Sequence, residues 1–242
     1  MIPRFYCPIP LQSGRTLTLP PEAAHHALRV LRLRSGDELV LFDGLGGEYS
    51  GRVVEATGIL RIALEARRDL EREAPLALTL VQALPAGDKM DWVVQKAVEL
   101  GAATIQPIQA KRSVVRLAGE RAEKRVAHWR QVAISACEQC GRNRLPKIGA
   151  IIDLPHYLTV SPDQNETRLL LSPLPGMRLS ALTKPLAAVT LLIGPEGGFE
   201  EGEEQAALSV GFQAISLGPR VLRTETAGLA AMAAILALWG DV

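Results

Sequence analysis

Ala188–Phe199 reads AVTLLIGPEGGF, six apolar or β-branched residues that run straight into glycine. A run of that length ending in turn residues predicts a buried strand. The glycines after it permit positive φ and let the backbone approach a ligand with no Cβ in the way. A second segment repeats the plan: Ala214–Leu217 predicts a strand that opens into Gly218-Pro219-Arg220-Val221-Leu222-Arg223-Thr224-Glu225-Thr226-Ala227, after which an alanine-rich helix begins. Thr224 is the expected N-cap of that helix, and the acid Glu225 suits its first turn. In open α/β sheets ligands settle beyond the carboxyl ends of strands, so both loops are candidate binding loops. Neither has GxGxxG spacing or the Lys-Ser/Thr of a phosphate loop, which argues against NAD and ATP and leaves another nucleoside-like ligand.

Working outward, strands alternate with helices from Pro75 onward. Strands are expected at Leu76–Ala83, Thr104–Ile108 and Arg168–Leu171, and helices at about 88–100, 120–139, 202–210 and 225–239. Such alternation predicts a mostly parallel α/β sheet. Before Pro75 the pattern is short strands and turns: Arg15–Leu19, Glu38–Phe42, Tyr49–Val54 and Leu60–Glu65, with one helix behind Pro20-Pro21 that carries Ala24, Leu28 and Leu31 at helical spacing. The charged stretch Arg67–Pro75 is expected to be an exposed linker. The chain therefore divides into residues 1–74, a small β-rich domain, and 75–242, an α/β domain.

With 242 residues, 48% hydrophobic and 22% charged, the chain has ample material for a core without disulfides. No apolar run approaches the roughly 20 residues of a membrane span. The start, MIPRFYC, carries an early charge and a proline where a secretory signal has an apolar run, so a cytoplasmic protein is expected. Cys137 and Cys140 form a lone CxxC with no second pair, which is read as two small residues on one helical turn and not as a metal or redox site. Net charge is only +1, but charge is segregated: Lys111–Arg130 holds seven bases against two acids, and Glu196–Glu204 holds five acids and no base. A nucleic-acid surface would have to come from such local clusters.

The pair LLIGPEGGF (Leu191–Phe199) and LGPRVLRTETA (Leu217–Ala227) resembles the signature of the RsmE family of 16S ribosomal RNA uridine-N3 methyltransferases. HHALRVLRLRSGDELVLFDGLGGEY (His25–Tyr49), KMDWVVQKAVELG (Lys89–Gly101) and EQCGRN (Glu138–Asn143) resemble other parts of the same family, so the resemblance spans nearly the whole chain. It implies an N-terminal PUA-like β-barrel that helps hold RNA, a SPOUT-type α/β domain with a C-terminal trefoil knot, and a homodimer. The implied reaction uses S-adenosylmethionine (SAM), without a metal, to methylate N3 of a uridine of 16S RNA in the small subunit, uridine 1498 in the family.

Carried onto this chain, the resemblance points to a cofactor site of Leu171 and Ser172, then Ile193, Gly194, Glu196 and Gly198, then Leu217, Gly218, Leu222, Thr224, Thr226 and Ala227. Arg220 and Arg223 are candidates to stabilise negative charge spreading onto the uracil carbonyls. A phosphate contact or an ion pair with Glu225 is the alternative for Arg223. Glu225 is the candidate proton acceptor or a partner that orients an arginine, and Glu196 or Glu225 can neutralise a cationic sulfonium. RNA contacts are expected from Arg29, Arg32 and Arg34, and from Lys111, Arg112, Arg116, Arg142 and Arg144. His25 and His26 are read as structural or RNA-facing. Two rivals are a methyltransferase of another RNA position and an RNA-binding factor without turnover.

Overall fold

The computed structural model describes residues 2–159, 165–172 and 176–242. The chain forms two units: Met1–Glu73 with Ile134–Leu145, and Ala74–Ala133 with Pro146–Val242. A single cut near Pro75 misses the return of Ile134–Leu145 to the first unit.

The first unit is a five-stranded sheet of β1 (Arg4–Tyr6), β2 (Thr16–Thr18), β3 (Glu38–Phe42), β4 (Glu48–Ala56) and β5 (Leu60–Arg68), in the order β1-β3-β4-β5-β2. Its β-branched and leucine positions supply a core of Phe5, Leu39, Leu41, Val53, Leu60 and Ile62, all nearly inaccessible. Helix α1 (Pro21–His25) starts on a proline, whose missing N–H costs nothing in a first turn. It then continues through one π-helical turn, His26–Val30. That wider turn changes the expected face: Ala24 and Ala27 are buried, while Leu31 is 42% exposed. The His26 ring stands edge-on to Phe5 at 5.9 Å, a packing role.

The charged stretch is exposed over residues 67–72, as expected, but side-chain contacts fix its position. Glu48, 3% exposed, accepts hydrogen bonds from Arg4 Nη1 at 2.6 Å and Arg72 Nη1 at 3.3 Å. Arg4 Nη2 also donates to Asn143 Oδ1 at 2.5 Å, and Asn143 Nδ2 donates to the Leu70 carbonyl at 2.6 Å. Arg142 is 3% exposed and forms a two-point pair with Glu73, through Nε at 3.1 Å and Nη2 at 2.5 Å. This corrects its expected role as an RNA contact: a buried guanidinium already forked onto a carboxylate has no face left for a phosphate. Arg144, half exposed, pairs with Glu71 at 3.2 Å. Cys137 is fully buried, and burial pushes its thiol up to about 12, so it stays an inert thiol.

The second unit is an all-parallel sheet of β6 (Ala77–Ala83), β7 (Ala102–Gln109), β8 (Lys147–Ile148), β9 (Ile152–Asp153), β10 (Glu166–Leu171), β11 (Met177–Arg178), β12 (Ala188–Ile193) and β13 (Gln213–Ser216). The order is β11-β13-β10-β12-β6-β7-β8, with β9 also on β7. The helices are α2 (Lys89–Glu99), α3 (Gly119–Cys140), α4 (Leu154–Leu158), α5 (Glu201–Ser209) and α6 (Thr224–Trp239). β12 lies between β10 and β6 and is buried from Val189 to Ile193, which is why its sequence is continuously apolar. Leu171 of β10 pairs in register with Ile193 of β12 and Ile215 of β13. Three neighbouring strands thus end level, and their loops leave the sheet side by side. Gly228 lets α6 lie close on this sheet, since a Cβ there would stand 2.9 Å from Leu80 Cδ1 and 3.2 Å from Ile193 Cγ1. Among the described residues no helix is long and apolar enough to cross a membrane.

Glu48 gives the first unit a pH-dependent stability. Burial alone raises its carboxyl pKa, but the Arg4 and Arg72 guanidiniums outweigh that and hold it below the ordinary 4.5. A lowered folded-state value stabilises the fold at pH above the unfolded value, and the gain is lost as pH falls through the folded one. Glu48→Gln should cost about 3 kcal/mol at neutral pH, because Arg4 is left without its charge partner. In urea titrations the gap between variant and parent should narrow as pH drops below 4.5. A gap that stays constant with pH would remove the carboxylate from the account.

Candidate active site

The loops after β10, β12 and β13 enclose a cavity of about 390 Å³. Leu171 and Ser172 come from the first loop, Ile193, Gly194, Glu196 and Gly198 from the second, and Leu217, Gly218, Arg220, Leu222, Arg223, Thr224 and Ala227 from the third. All thirteen are residues the sequence pointed to. The walls are mainly aliphatic, suited to a flat base. Gly198 and Gly218 have φ of +68° and +108°, and both open toward free space, so their backbone is accessible to a ligand.

Thr224 joins the loops. It is the first residue of α6, not its cap; Arg223 takes the cap position, and its carbonyl accepts from the amides of Thr226 and Ala227. The Thr224 hydroxyl is thereby free of local capping. It donates to the Gly194 carbonyl at 2.5 Å and accepts from Gln82 Nε2 at 2.9 Å, which ties the third loop to the second and to β6.

The acids of the site converge on a lysine that sequence reasoning left out. Lys89, the first residue of α2, lines the cavity and lies 3.1 Å from Glu225 Oε1 and 3.7 Å from Glu196 Oε1. Glu196 Oε1 also accepts from the Ala86 amide at 2.8 Å. For Glu225 burial raises the carboxyl pKa, but its own amide and Lys89 outweigh that and leave it lowered. Its second oxygen, Oε2, is buried with no hydrogen-bond partner among the described residues. Neither Glu225 nor Thr226 lines the cavity; Glu225 reaches it through Lys89. The alternative ion pair between Arg223 and Glu225 does not form, and Arg220 and Arg223 have no ion pair among the described residues. Lys89 lies in the segment KMDWVVQKAVELG, and a cation just ahead of an apolar helix face was the available signal for it.

The bases after β7 serve this site from outside the cavity. Arg112 Nη1 donates to the carbonyls of Gly197 at 3.0 Å and Phe199 at 3.4 Å, bracing the second loop. Lys111 donates its amide to Glu203 and pairs through Nζ with Glu200 at 3.1 Å, and Arg116 donates to the Lys111 carbonyl. Arg29, Arg32 and Arg34 lie in the first unit on a separate cavity.

Comparison with known proteins agrees with this geometry. A family described as RNA methyltransferase domain matches residues 72–236, and one described as RNA methyltransferase PUA domain matches residues 19–60. The chain is 33% identical to the ribosomal RNA small subunit methyltransferase E of Buchnera aphidicola subsp. Schizaphis graminum over 245 positions, covering 100% of this chain and 98% of that one. It is 30% identical to the Bacillus subtilis protein of the same name, over 93% of this chain and 91% of that one. The crystal structure of the Neisseria gonorrhoeae methyltransferase E, bound to SAM, superposes with a TM-score of 0.94 at 42% identity, over 100% of this chain and 99% of that one. A Legionella pneumophila methyltransferase in complex with SAM gives 0.95 at 35% identity over the whole of both chains. Level strand ends, glycine loops and full-length likeness converge: the chain belongs to the ribosomal RNA small subunit methyltransferase E family.

Proposed function

We propose that the chain methylates N3 of a uridine in 16S ribosomal RNA, uridine 1498 of the family, within the small subunit. The observation that carries this reading is the joining of three post-strand loops on one cavity in a chain of this family. The proposal includes a cytoplasmic homodimer, a PUA-like barrel in the first unit, and a SPOUT-type domain in the second whose C-terminal loops form a trefoil knot. The residues present fit SAM: aliphatic walls for adenine, open glycine backbone for its polar edges, and the Glu196 carboxylate in the lining against its positive charge.

Bound SAM supplies an activated methyl group. The chain must then hold the target nitrogen in line and favour loss of its imide proton. Arg220 and Arg223 line the cavity with no ion pair among the described residues, and would attract the negative charge that spreads onto the uracil carbonyls. Glu225 is held anionic by Lys89, and its unpartnered Oε2 is an acceptor for a proton or a donor group. In this arrangement Lys89, rather than an arginine, orients the carboxylate.

Incubation with labelled SAM and small-subunit particles should yield 3-methyluridine, with free 16S RNA as the comparison. A ribose-methylated or different base product would point to the first rival, and SAM binding without transfer to the second. Arg223→Ala should lower kcat by about 10² to 10³ at saturating RNA and SAM. If only the KM for RNA moved, Arg223 would be a phosphate contact instead. Replacing Lys89 by Met should raise the Glu225 pKa, so the acid limb of the activity profile should move up by on the order of one pH unit. An unmoved limb with reduced kcat would separate Glu225 from proton handling.

A further inference from the structure

The first unit contains a second cavity, about 690 Å³ in volume, that shares no lining residue with the cavity of the second unit. Its size is that of a ligand site. Leu28, Leu33 and Ile59 form an apolar part of its lining, and Ile59 remains 49% exposed at that surface. Arg29, Arg32 and Arg34 line it as well, and no acidic residue does.

These three arginines differ from those of their unit that glutamates hold. Arg4, Arg72, Arg142 and Arg144 each pair with a glutamate. Arg29, Arg32 and Arg34 form no ion pair among the described residues, although they stand within six positions of one another. The backbone that presents them is tightly specified. α1 ends in a π turn, a feature common at functional positions. Arg32 takes φ of +56°, and no other non-glycine among the described residues has positive φ. The Leu33 amide then bonds back to the Ala27 carbonyl at 3.0 Å, and the Arg34 amide bonds to Asp37 Oδ2 at 2.6 Å.

An apolar hollow rimmed by three unpaired guanidiniums is complementary to a ligand with a flat apolar body between negative charges. We propose that this cavity takes an unpaired ribonucleotide of the substrate RNA other than the methylated uridine. Its base lies against Leu28, Leu33 and Ile59, and its flanking phosphates lie on Arg29, Arg32 and Arg34. This rests on RNA being the substrate. A duplex could satisfy the arginines but not the hollow, since its bases are stacked inside; a nucleotide in a loop can be splayed out. The site thus selects single-stranded structure near the target.

The test is fluorescence anisotropy of the full chain with a labelled short unstructured oligoribonucleotide, with an abasic oligomer, a duplex of equal charge and a free mononucleotide as comparisons. The base-bearing strand should bind about tenfold more tightly than the abasic one. Arg29→Ala and Arg34→Ala should each lower the slope of log K against log salt by about 0.7. Arg32→Gly keeps the left-handed backbone while deleting the cation, so a lost slope there is not a folding effect. Ile59→Glu should abolish the difference between base-bearing and abasic strands. An unchanged circular dichroism spectrum and urea midpoint certify each variant as folded, since SAM binding reports on the second unit alone. Equal binding of abasic strand or duplex, unaltered slopes in folded variants, or saturation by the mononucleotide at micromolar concentration would each overturn the proposal. Methyl transfer by the parent chain is scored separately, so a failed cavity leaves the methyltransferase reading standing. Base-dependent binding without any transfer would sink that reading alone.

Discussion

The Thr224 hydroxyl is the knot of contacts on which the site depends. It is buried, donates to the Gly194 carbonyl and accepts from Gln82, so one oxygen fixes the start of α6, the second glycine loop and the end of β6. Inside an apolar sheet such a group is costly to leave unmet, on the order of 1–3 kcal/mol for each orphaned partner. Gln82 is fully buried and spends its amide on Thr224 and on the Ala83 carbonyl, while its Oε1 has no partner among the described residues. The polar cluster is therefore only partly satisfied, and it holds the loops by directionality more than by surplus energy. Arg223 frees Thr224 for this task by taking the cap position itself, which is why a helix beginning Arg-Thr-Glu-Thr does not use its threonine as a cap.

Around that fixed point the charges are arranged so that carboxylates survive next to an apolar cavity. Glu196 and Glu225 come from different loops and share one ammonium, Lys89. Their pairing lowers the cost of two anions in a half-buried place, and the lysine at the start of α2 has its own α-helix N-terminus working against it. That placement makes sense only if the two acids are worth keeping anionic. Arg112 adds a mechanical element, bracing two carbonyls of the glycine loop that would otherwise be free to turn. An arginine in a basic stretch thus serves the cofactor loop by hydrogen bonding.

Much of this was legible in the chain. β3 and β12 fall where apolar runs put them, and thirteen of the residues named for the cofactor and the chemistry line one cavity. Local signals suffice there because strand runs and glycine loops are written in consecutive residues. The misses share a different cause. Strands β8, β9 and β11 have two residues each, too few to show a period. The π turn after α1 has no distinctive composition, so the burial of Ala27 and the exposure of Leu31 could not be read from spacing. The stretch Arg67–Pro75 is exposed for most of its length, but its fixed contacts could not be read locally because their partners lie about 70 positions away, as in Arg142 with Glu73. Lys89 likewise acquires its meaning from Glu225, far along the chain.

Twenty-one arginines look alike in the sequence, and a net charge of +1 makes them unremarkable as a set. Pairing is what distinguishes them. Arg4, Arg72 and Arg142 pair with Glu48 and Glu73, and for the buried Arg4 and Arg142 removal from water is offset by close hydrogen bonds, so they belong to the fold. Arg29, Arg32 and Arg34 in one unit, and Arg220 and Arg223 in the other, line cavities and lack such partners. An exposed guanidinium without an ion pair gains little for stability from its neighbours and repels its like. Several of them together attract an anion from outside the chain. Overall charge balance and local demand for a polyanion are therefore compatible, because several acids are committed to arginines of the fold and none lines the cavity of Arg29, Arg32 and Arg34.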